Sequence, residues 1–470
     1  MTTYKTSILL LLAVISCGQH KYSWEEDLQY RLATDFCRTR QEVKEYIVKY
    51  IPDVTEQQID AWTASGKLEA MEIDGKTMYF RNAGPNLFRI DKACKAIKDA
   101  AGADDSAQYT LSGNAMGGDE KADIINLPEI LETADLGGGS TIAAPKRMRV
   151  KYTVTVDADA VPDGETVRCW LPYPRSDVAR QTGVQFIRAG AKASSDHKFF
   201  TETTDSELIT FAPKEYAHST LYMEIPACKG QPVTFTEEFE YTSAGEYFRD
   251  LENRVKPYDK ESAIYKAFTA EREKHIIFTP RIKEIADSLT AGIENPFLQA
   301  KAIFTWIDAN FPWASAREYS TLENIPEYVL ANGHGDCGQV TLTFLTMCRY
   351  KGIPGHFQSG FMMHPDAWNL HDWAELYFEG VGWVPVDQSF GRPVYATGEY
   401  LQKYPLSDYF FLGGIDSWRM IVNQDFGMEL YPAKVFPRSE TVDFQRGEVE
   451  WKGGNLYFPK WDYDMEITYL

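Results

Sequence analysis

Apolar residues recur at three- and four-residue spacing in "TRQEVKEYIVKYI" and "TEQQIDAWTASGKL", which predicts two amphipathic helices early in the chain. Thr39 and Thr55 stand at their starts, with Glu42 and Gln58 placed to complete capping boxes. The following "LEAMEIDGKTMYFRN" reads as a short hairpin turning at Asp74-Gly75. Between Arg147 and about residue 248 the period is two, as in "MRVKYTVTVDADAV" and "PVTFTEEFEYTS". Residues 147–250 are therefore expected to form an antiparallel β-sandwich. After Lys256 the helical period returns in "SAIYKAFTAERE", "TPRIKEIADSLTAG" and "NPFLQAKAIFTWIDANF", the last with Pro296 near its start. The tail over 396–470, with "GEVEWKGGNLYF" and "WDYDMEITYL", reads as strands that finish or brace the preceding domain.

Composition changes this picture in three places. Residues 101–146 are rich in Gly, Ala, Ser and Asp and are predicted to be a flexible linker with one short helix at "LPEILETA". With 48 Lys and Arg against 68 Asp and Glu, the chain is a poor partner for nucleic acid. The two helices and hairpin within residues 21–100 resemble a winged-helix module, and the acidity directs that resemblance toward a docking or structural role. The start, "MTTYKTSILLLLAVISC", has one lysine and then an apolar run from Ile8 to Ile15, too short to span a bilayer. It reads as an export signal over residues 1–17. Its ending, Val14-Ile15-Ser16-Cys17, resembles a bacterial lipobox, which implies lipidation of Cys17 and an anchor at the cell envelope.

The other six cysteines, Cys37, Cys94, Cys169, Cys228, Cys337 and Cys348, are dispersed with no CxxC spacing, so neither a zinc site nor a disulfide scaffold is indicated. Export leaves Cys37 with Cys94, and Cys169 with Cys228, as candidate disulfides. No acidic loop of the kind that holds calcium is visible, and neither a metal nor a cofactor is expected.

Candidate chemistry centres on "HGDCGQVTLTFLTMCRYKGIP". Asp336 is placed to cap a helix whose apolar positions Val340, Phe344, Leu345, Met347 and Cys348 recur at helical spacing, which puts Cys337 in the first turn. There the free N–H groups and the helix dipole favour a thiolate. A base is also needed, and His371 opens "HDWAELYFEGVGWVPVDQSFG", two strands joined near Glu379. With the hairpin centred on Glu379, His371 faces Asp387 across the strands, close enough for the carboxylate to fix the imidazole tautomer. Cys337, His371 and Asp387 then make a nucleophilic triad. Cys348 reads as a buried helix residue, and His364 as a loop residue.

The segment "GDCGQVTLTFLTMCRYKGIPGHFQSGF", followed by "HDWAELYFEGVGWVPVDQS", closely resembles the core of the transglutaminase-like superfamily. The resemblance implies a papain-like catalytic domain over 256–395, with Cys337 as nucleophile, His371 as base and Asp387 as orienting acid. It makes the sandwich an accessory domain, and it points to Trp313, in "IFTWIDANFPW", as a cleft wall or oxyanion-side residue. The expected architecture is multidomain α+β: a small helical winged-helix-like N-terminal module, an antiparallel β-sandwich, the catalytic domain and a C-terminal β extension. The expected reaction is acyl transfer on amide bonds of a peptide, protein or glycopeptide substrate, with hydrolysis favoured over cross-linking. The alternative is a non-catalytic scaffold that grips peptide or glycan in a papain-like cleft.

Overall fold

The computed structural model describes residues 24–102, 126–135, 141–193, 198–200, 208–365, 367–390 and 409–470. The predicted export signal and Cys17 lie outside the described residues, as does most of the predicted linker. Residues 24–102 together with Ala314–Thr321 form one compact unit, and the remaining described residues form a second.

In the first unit, helices α1 (Trp24–Asp35), α2 (Arg40–Val48) and α3 (Glu56–Ala64) precede strands β1 (Ala70–Ile73) and β2 (Lys76–Tyr79), then α4 (Ala83–Ile90) and α5 (Lys92–Ala100). Thr39 and Thr55 form the capping boxes with Glu42 and Gln58. The hairpin turns at Asp74 and Gly75, both at positive φ, as a tight two-residue turn requires. Phe36, Val43, Ile47, Ile59, Leu68, Tyr79, Phe80 and Leu87 supply its own core. Ser315 and Glu318 belong to this unit by specific bonds: Asn86 donates to the Ser315 carbonyl at 2.9 Å, and the Glu318 N–H donates to Asp35 at 2.8 Å.

The second unit begins with α6 (Leu127–Asp135), which falls where the sequence places a short helix in a linker. It is not a free linker helix: Leu127, Ile130 and Leu131 are buried in one cluster with Ala143, Tyr247, Met362, Phe390 and Phe410. Three apolar residues on one face of a short helix bury enough surface to dock it, which composition averaged over the whole stretch conceals.

The sandwich is built from β3 (Ile142–Val156), β4 (Thr166–Pro172), β5 (Gln181–Lys192), β6 (Lys198–Phe200), β7 (Thr210–Phe211), β8 (Thr220–Pro226) and β9 (Val233–Tyr247), with strands from the tail. Helices α7 (Pro280–Leu289), α8 (Pro296–Asn310), α9 (Ile325–Asn332) and α10 (Cys337–Tyr350) follow, and then β10 (Gly355–Met362), β11 (Asn369–Phe378) and β12 (Gly382–Val386). The tail contributes β13 (Gly414–Ile415), β14 (Arg419–Asn423), β15 (Glu448–Trp451), β16 (Gly454–Leu456) and β17 (Trp461–Tyr469). Sheet orders are β17-β3-β9-β5-β6, with β13 also on β9; β16-β15-β4-β8-β7; and β12-β11-β10-β14. The tail therefore does more than brace the preceding domain. One of its strands extends the β10–β12 sheet, while β15 and β17 complete the two sandwich layers.

The sandwich core of Val150, Val154, Trp170, Leu221, Phe235 and Phe239 runs on into Phe361, Met420 and Val422 of the smaller sheet. Helix α10 packs on β10 and β11 and against α7, α8 and α9. It is buried on every side, so its polar positions need internal partners. Thr343 and Thr346 find them by donating to the carbonyls of Gln339 and Leu342, one turn back. Gly360 on β10 faces His371 on β11, and a Cβ there would lie 1.9 Å from the Met420 carbonyl oxygen. Only glycine lets β14 close against the sheet at this level.

Among the described residues, no helix is long and apolar enough to cross a membrane. The six described cysteines are all free, so neither candidate disulfide forms in this structure.

Candidate active site

Cys337 is the first residue of α10, behind a capping box in which Asp336 accepts the Gln339 N–H and Gln339 accepts the Asp336 N–H. The first-turn amides have no intrahelical acceptor, so the Cys337 N–H is available to bond elsewhere. Trp313 is carried to the same place by backbone pairing, bridging Gly335 in parallel fashion two residues before the cysteine.

His371 lies on β11, and its Nε2 is 2.7 Å from Asp387 Oδ2. The pairing differs from expectation. The ladder matches Ala374 with Val386 and Phe378 with Gly382, so the hairpin is centred on Gly380 rather than Glu379. Asp387 lies just past the end of β12, diagonal to His371 rather than directly opposite. A shift of this size keeps both side chains on one face, and diagonal neighbours are still within reach of an imidazole and a carboxylate.

Asp387 is also held from behind. Arg419 Nη1 donates to the same Oδ2 at 2.7 Å, and the Ser389 N–H donates to Oδ1 at 3.1 Å. Arg419 turns its other nitrogens to Asp416, at 2.9 and 2.5 Å, and its guanidinium lies over Trp373, Phe390 and Phe411. The ring of Phe390 stands edge-on to His371 at 5.4 Å. The His371–Asp387 pair is thus fixed by a buried ion network in an aromatic cage. Sequence reading missed Arg419 and Asp416, whose signal, "DSWR" in the tail, is far from the motif.

Burial would raise the Asp387 carboxyl, but His371 and Arg419 outweigh it and hold it below the ordinary carboxylate range. Burial, reinforced by Arg419, lowers the His371 imidazole against the pull of Asp387. Asp387 is thus held as a carboxylate by His371 and Arg419 together, while burial works against charge on the imidazole. Because Nε2 is engaged by Asp387, Nδ1 is the ring nitrogen left for a proton from a substrate or a nucleophile.

The Cys337 sulfur contacts Asp372, the residue after His371, at 3.4 Å from Oδ2. Gln445 fixes that carboxyl, donating through Nε2 to Asp372 Oδ1 at 2.9 Å and to the His371 carbonyl at 2.8 Å. The expected depressed thiol is not found. Burial first, and then the carboxyls of Asp372 and Asp336, push the Cys337 thiol well up. The helix start does favour a thiolate, but a terminus effect is typically below about 1 kcal/mol at an exposed site, and desolvation next to two acids exceeds it.

Three of the other described histidines are committed elsewhere. His356 Nε2 pairs with Glu375 at 3.0 Å, His218 bonds Asn423 at 2.7 Å, and His275 accepts the Ile325 N–H. His364, read as a loop residue, is fully buried 3.3 Å from Asp416. His334 is buried and lowered to about 4. Among the described residues, no group of three or more His, Cys, Asp and Glu side chains is placed to hold a metal ion.

Residues 283–388 match the family model of the transglutaminase-like superfamily, and this stretch is a transglutaminase-like domain in a mixed α/β, multi-sheet chain. An uncharacterized protein of Haemophilus influenzae is 25% identical over 166 residues, which are 30% of this chain and 44% of that protein. The chain thus spans under half the length of that relative. Among solved structures, a proposed cysteine protease from Cytophaga hutchinsonii is similar with a TM-score of 0.43 at 11% identity, covering 70% of this chain and 92% of that one. The periplasmic domain of TgpA from Pseudomonas aeruginosa gives a TM-score of 0.28 at 15% identity, covering 58% of this chain and 96% of that domain.

Proposed function

We propose that the chain is an exported, cysteine-dependent acyl-transfer enzyme acting on amide bonds of peptide, isopeptide or glycopeptide substrates, with hydrolysis favoured over cross-linking. The observation that carries this reading is the 2.7 Å His371–Asp387 pair, locked by Arg419, on the strand whose next residue touches the Cys337 sulfur. Cys337 attacks the carboxamide carbon, and its proton passes to His371 Nδ1. The Cys337 N–H, with Trp313 at the cleft wall, stabilises the oxyanion. His371 then protonates the leaving amine, and water or an amine resolves the thioester.

Hydrolysis is favoured because an exported enzyme meets abundant water. Export and anchoring rest on residues 1–17 alone, and a Cys17→Ser change is expected to release the protein from membrane fractions. The test of the activity is profiling of the purified protein on peptide, isopeptide and glycopeptide libraries, with Cys337→Ala as the blank. Product masses separate hydrolysis from amine incorporation. One observation favours a second reading, a binding cleft without turnover: the thiol is held up rather than down. Wild-type protein that turns over no library member, but retains peptide or glycan at the cleft, would establish that alternative.

A further inference from the structure

Along β11, His371, Trp373 and Glu375 share one face, and β10 sets Gly360, Gln358 and His356 opposite them. Gln358 is fully buried, and its amide oxygen accepts two donors: the Trp373 indole N–H and, at 3.0 Å, Arg180 Nη2. Its Nε2 donates to Glu375 at 3.4 Å. Arg180 comes from the sandwich. It stands just ahead of β5, it is 2% exposed, and its carbonyl accepts the Ala244 N–H of β9 at 2.8 Å. The next residue, Gln181, bonds both backbone groups of Ile421 on β14, at 2.9 and 2.7 Å, and Val178 packs on the cluster of Trp373, Ile415 and Ile421. We propose, building on the acyl-transfer reading, that Arg180 is a positioning residue: through Gln358 it fixes the Trp373 ring, and Trp373 in turn holds the His371 imidazole in one orientation.

The bond from Nε2 to Asp387 fixes one atom of the imidazole and leaves the ring able to pivot about it. Two neighbours close that freedom: Trp373, with ring centroids 5.8 Å apart and planes 32° apart, and Phe390, edge-on at 5.4 Å. Phe390 is held in turn by Phe411 and by the Arg419 guanidinium. Trp373 also lies under Arg419, but its polar end is tied down by Gln358. That amide has one favourable orientation, with two donors on its oxygen and a carboxylate on its nitrogen.

Arg180 anchors the amide oxygen to sheet backbone of the sandwich. Without the guanidinium, the remaining side-chain anchor of Gln358 besides the indole is its long bond to Glu375, so Trp373 and the base beside it shift together. Proton transfer is steep in geometry, and a displacement of about 1 Å costs about a hundredfold in rate. In this reading the sandwich supplies one wall of the site, which a purely accessory domain would not.

The test compares the full chain as wild type, Arg180→Met and Arg180→Lys by heteronuclear NMR and by kinetics. The Trp373 indole N–H is assigned by its loss in Trp373→Phe, and the His371 ring C–H by its loss in His371→Gln. Arg180→Met is expected to move both resonances, to speed exchange of the indole proton about tenfold or more, and to lower kcat about tenfold with KM within about twofold. Arg180→Lys keeps a donor for Gln358 and should lie closer to wild type on each readout. A folded Met variant whose melting temperature falls while both resonances stay in place would overturn the proposal, because Arg180 would then serve only to tie the sandwich to the sheet. If the Met variant does not fold, Gln358→Leu removes the shared acceptor without touching the sandwich and carries the same expectations. If that also fails, wild type decides: a Trp373 indole proton that exchanges as fast as free indole overturns the chain of contacts, and a protected one upholds it. The resonances need no turnover, so a protein inactive on every library member would sink the enzyme reading and leave the hold of Arg180 on Trp373 and His371 separately decided.

Discussion

Asp387 and Asp372 are both buried carboxylic acids beside His371, and the structure treats them oppositely. Asp387 has a guanidinium, an imidazole and a backbone N–H, and it is held down as an anion. Asp372 has a thiol, a neutral amide and three acidic neighbours, and it is held up as an acid. Burial is shared, so it cannot be what separates them. The difference lies in the charge of the nearest partner, and it divides the candidate site into a charged half around His371 and a neutral half around Cys337.

Breaking the charged half has the largest expected effect. Asp387→Asn should leave the fold intact and lower kcat/KM by about three orders of magnitude or more, since an amide can favour the wrong tautomer of His371. Steady-state kinetics with a matching melting curve checks this. Arg419→Met should act on stability instead, costing about 3–5 kcal/mol in urea unfolding, because it takes the guanidinium from two buried carboxyls and leaves them histidine and backbone partners. That loss should depend on pH. Both carboxyls are depressed in the fold, so their contribution is present above the unfolded value of about 3.9 and lost as pH falls through the lower folded values.

The neutral half predicts the reverse sign. Asp372 is raised in the fold, so its contribution is present below about 3.9 and lost as pH rises through the folded value. Asp372→Asn should therefore match wild type in melting temperature in acid and exceed it near neutrality, by less than the Arg419 loss. The smallest effect is expected from Asp336→Asn. Asn is as good a cap as Asp, so stability should stay within about 0.5 kcal/mol. The pH profile of iodoacetamide alkylation at Cys337, read by peptide mass, should still shift downward by a small amount.

What the sequence made legible was local. The α10 cap, the start at Pro296 and the Asp74-Gly75 turn depend on neighbours within a few positions, and they fall where the pattern puts them. The partnership of His371 with Asp387 was legible because one hairpin carries both, although its centre was misjudged by one residue. Arg419, Asp416 and Gln445 were not legible, since they reach the site from the tail through sheet closure and through a segment without regular structure. The ionisation of Cys337 was misread for a related reason. A helix start is visible in sequence, whereas the acids that crowd the sulfur come from separate elements of the fold.

The interleaving of the sandwich carries a consequence for synthesis. The whole of strand β17 pairs along β3, Trp461 with Val156 through Tyr469 with Met148, and β15 lies on β4. The helices and sheet that hold Cys337 and His371 fall between those partners in the chain. On a ribosome, β3 and β4 emerge long before the strands that cover them, and the nascent chain must carry open edges while the whole transglutaminase-like segment is made. Gln445 and Arg419 arrive in the same late stretch, so Asp387 and His371 gain these partners only when the sandwich can close. The candidate site is therefore complete only once the last strands of the chain are in place.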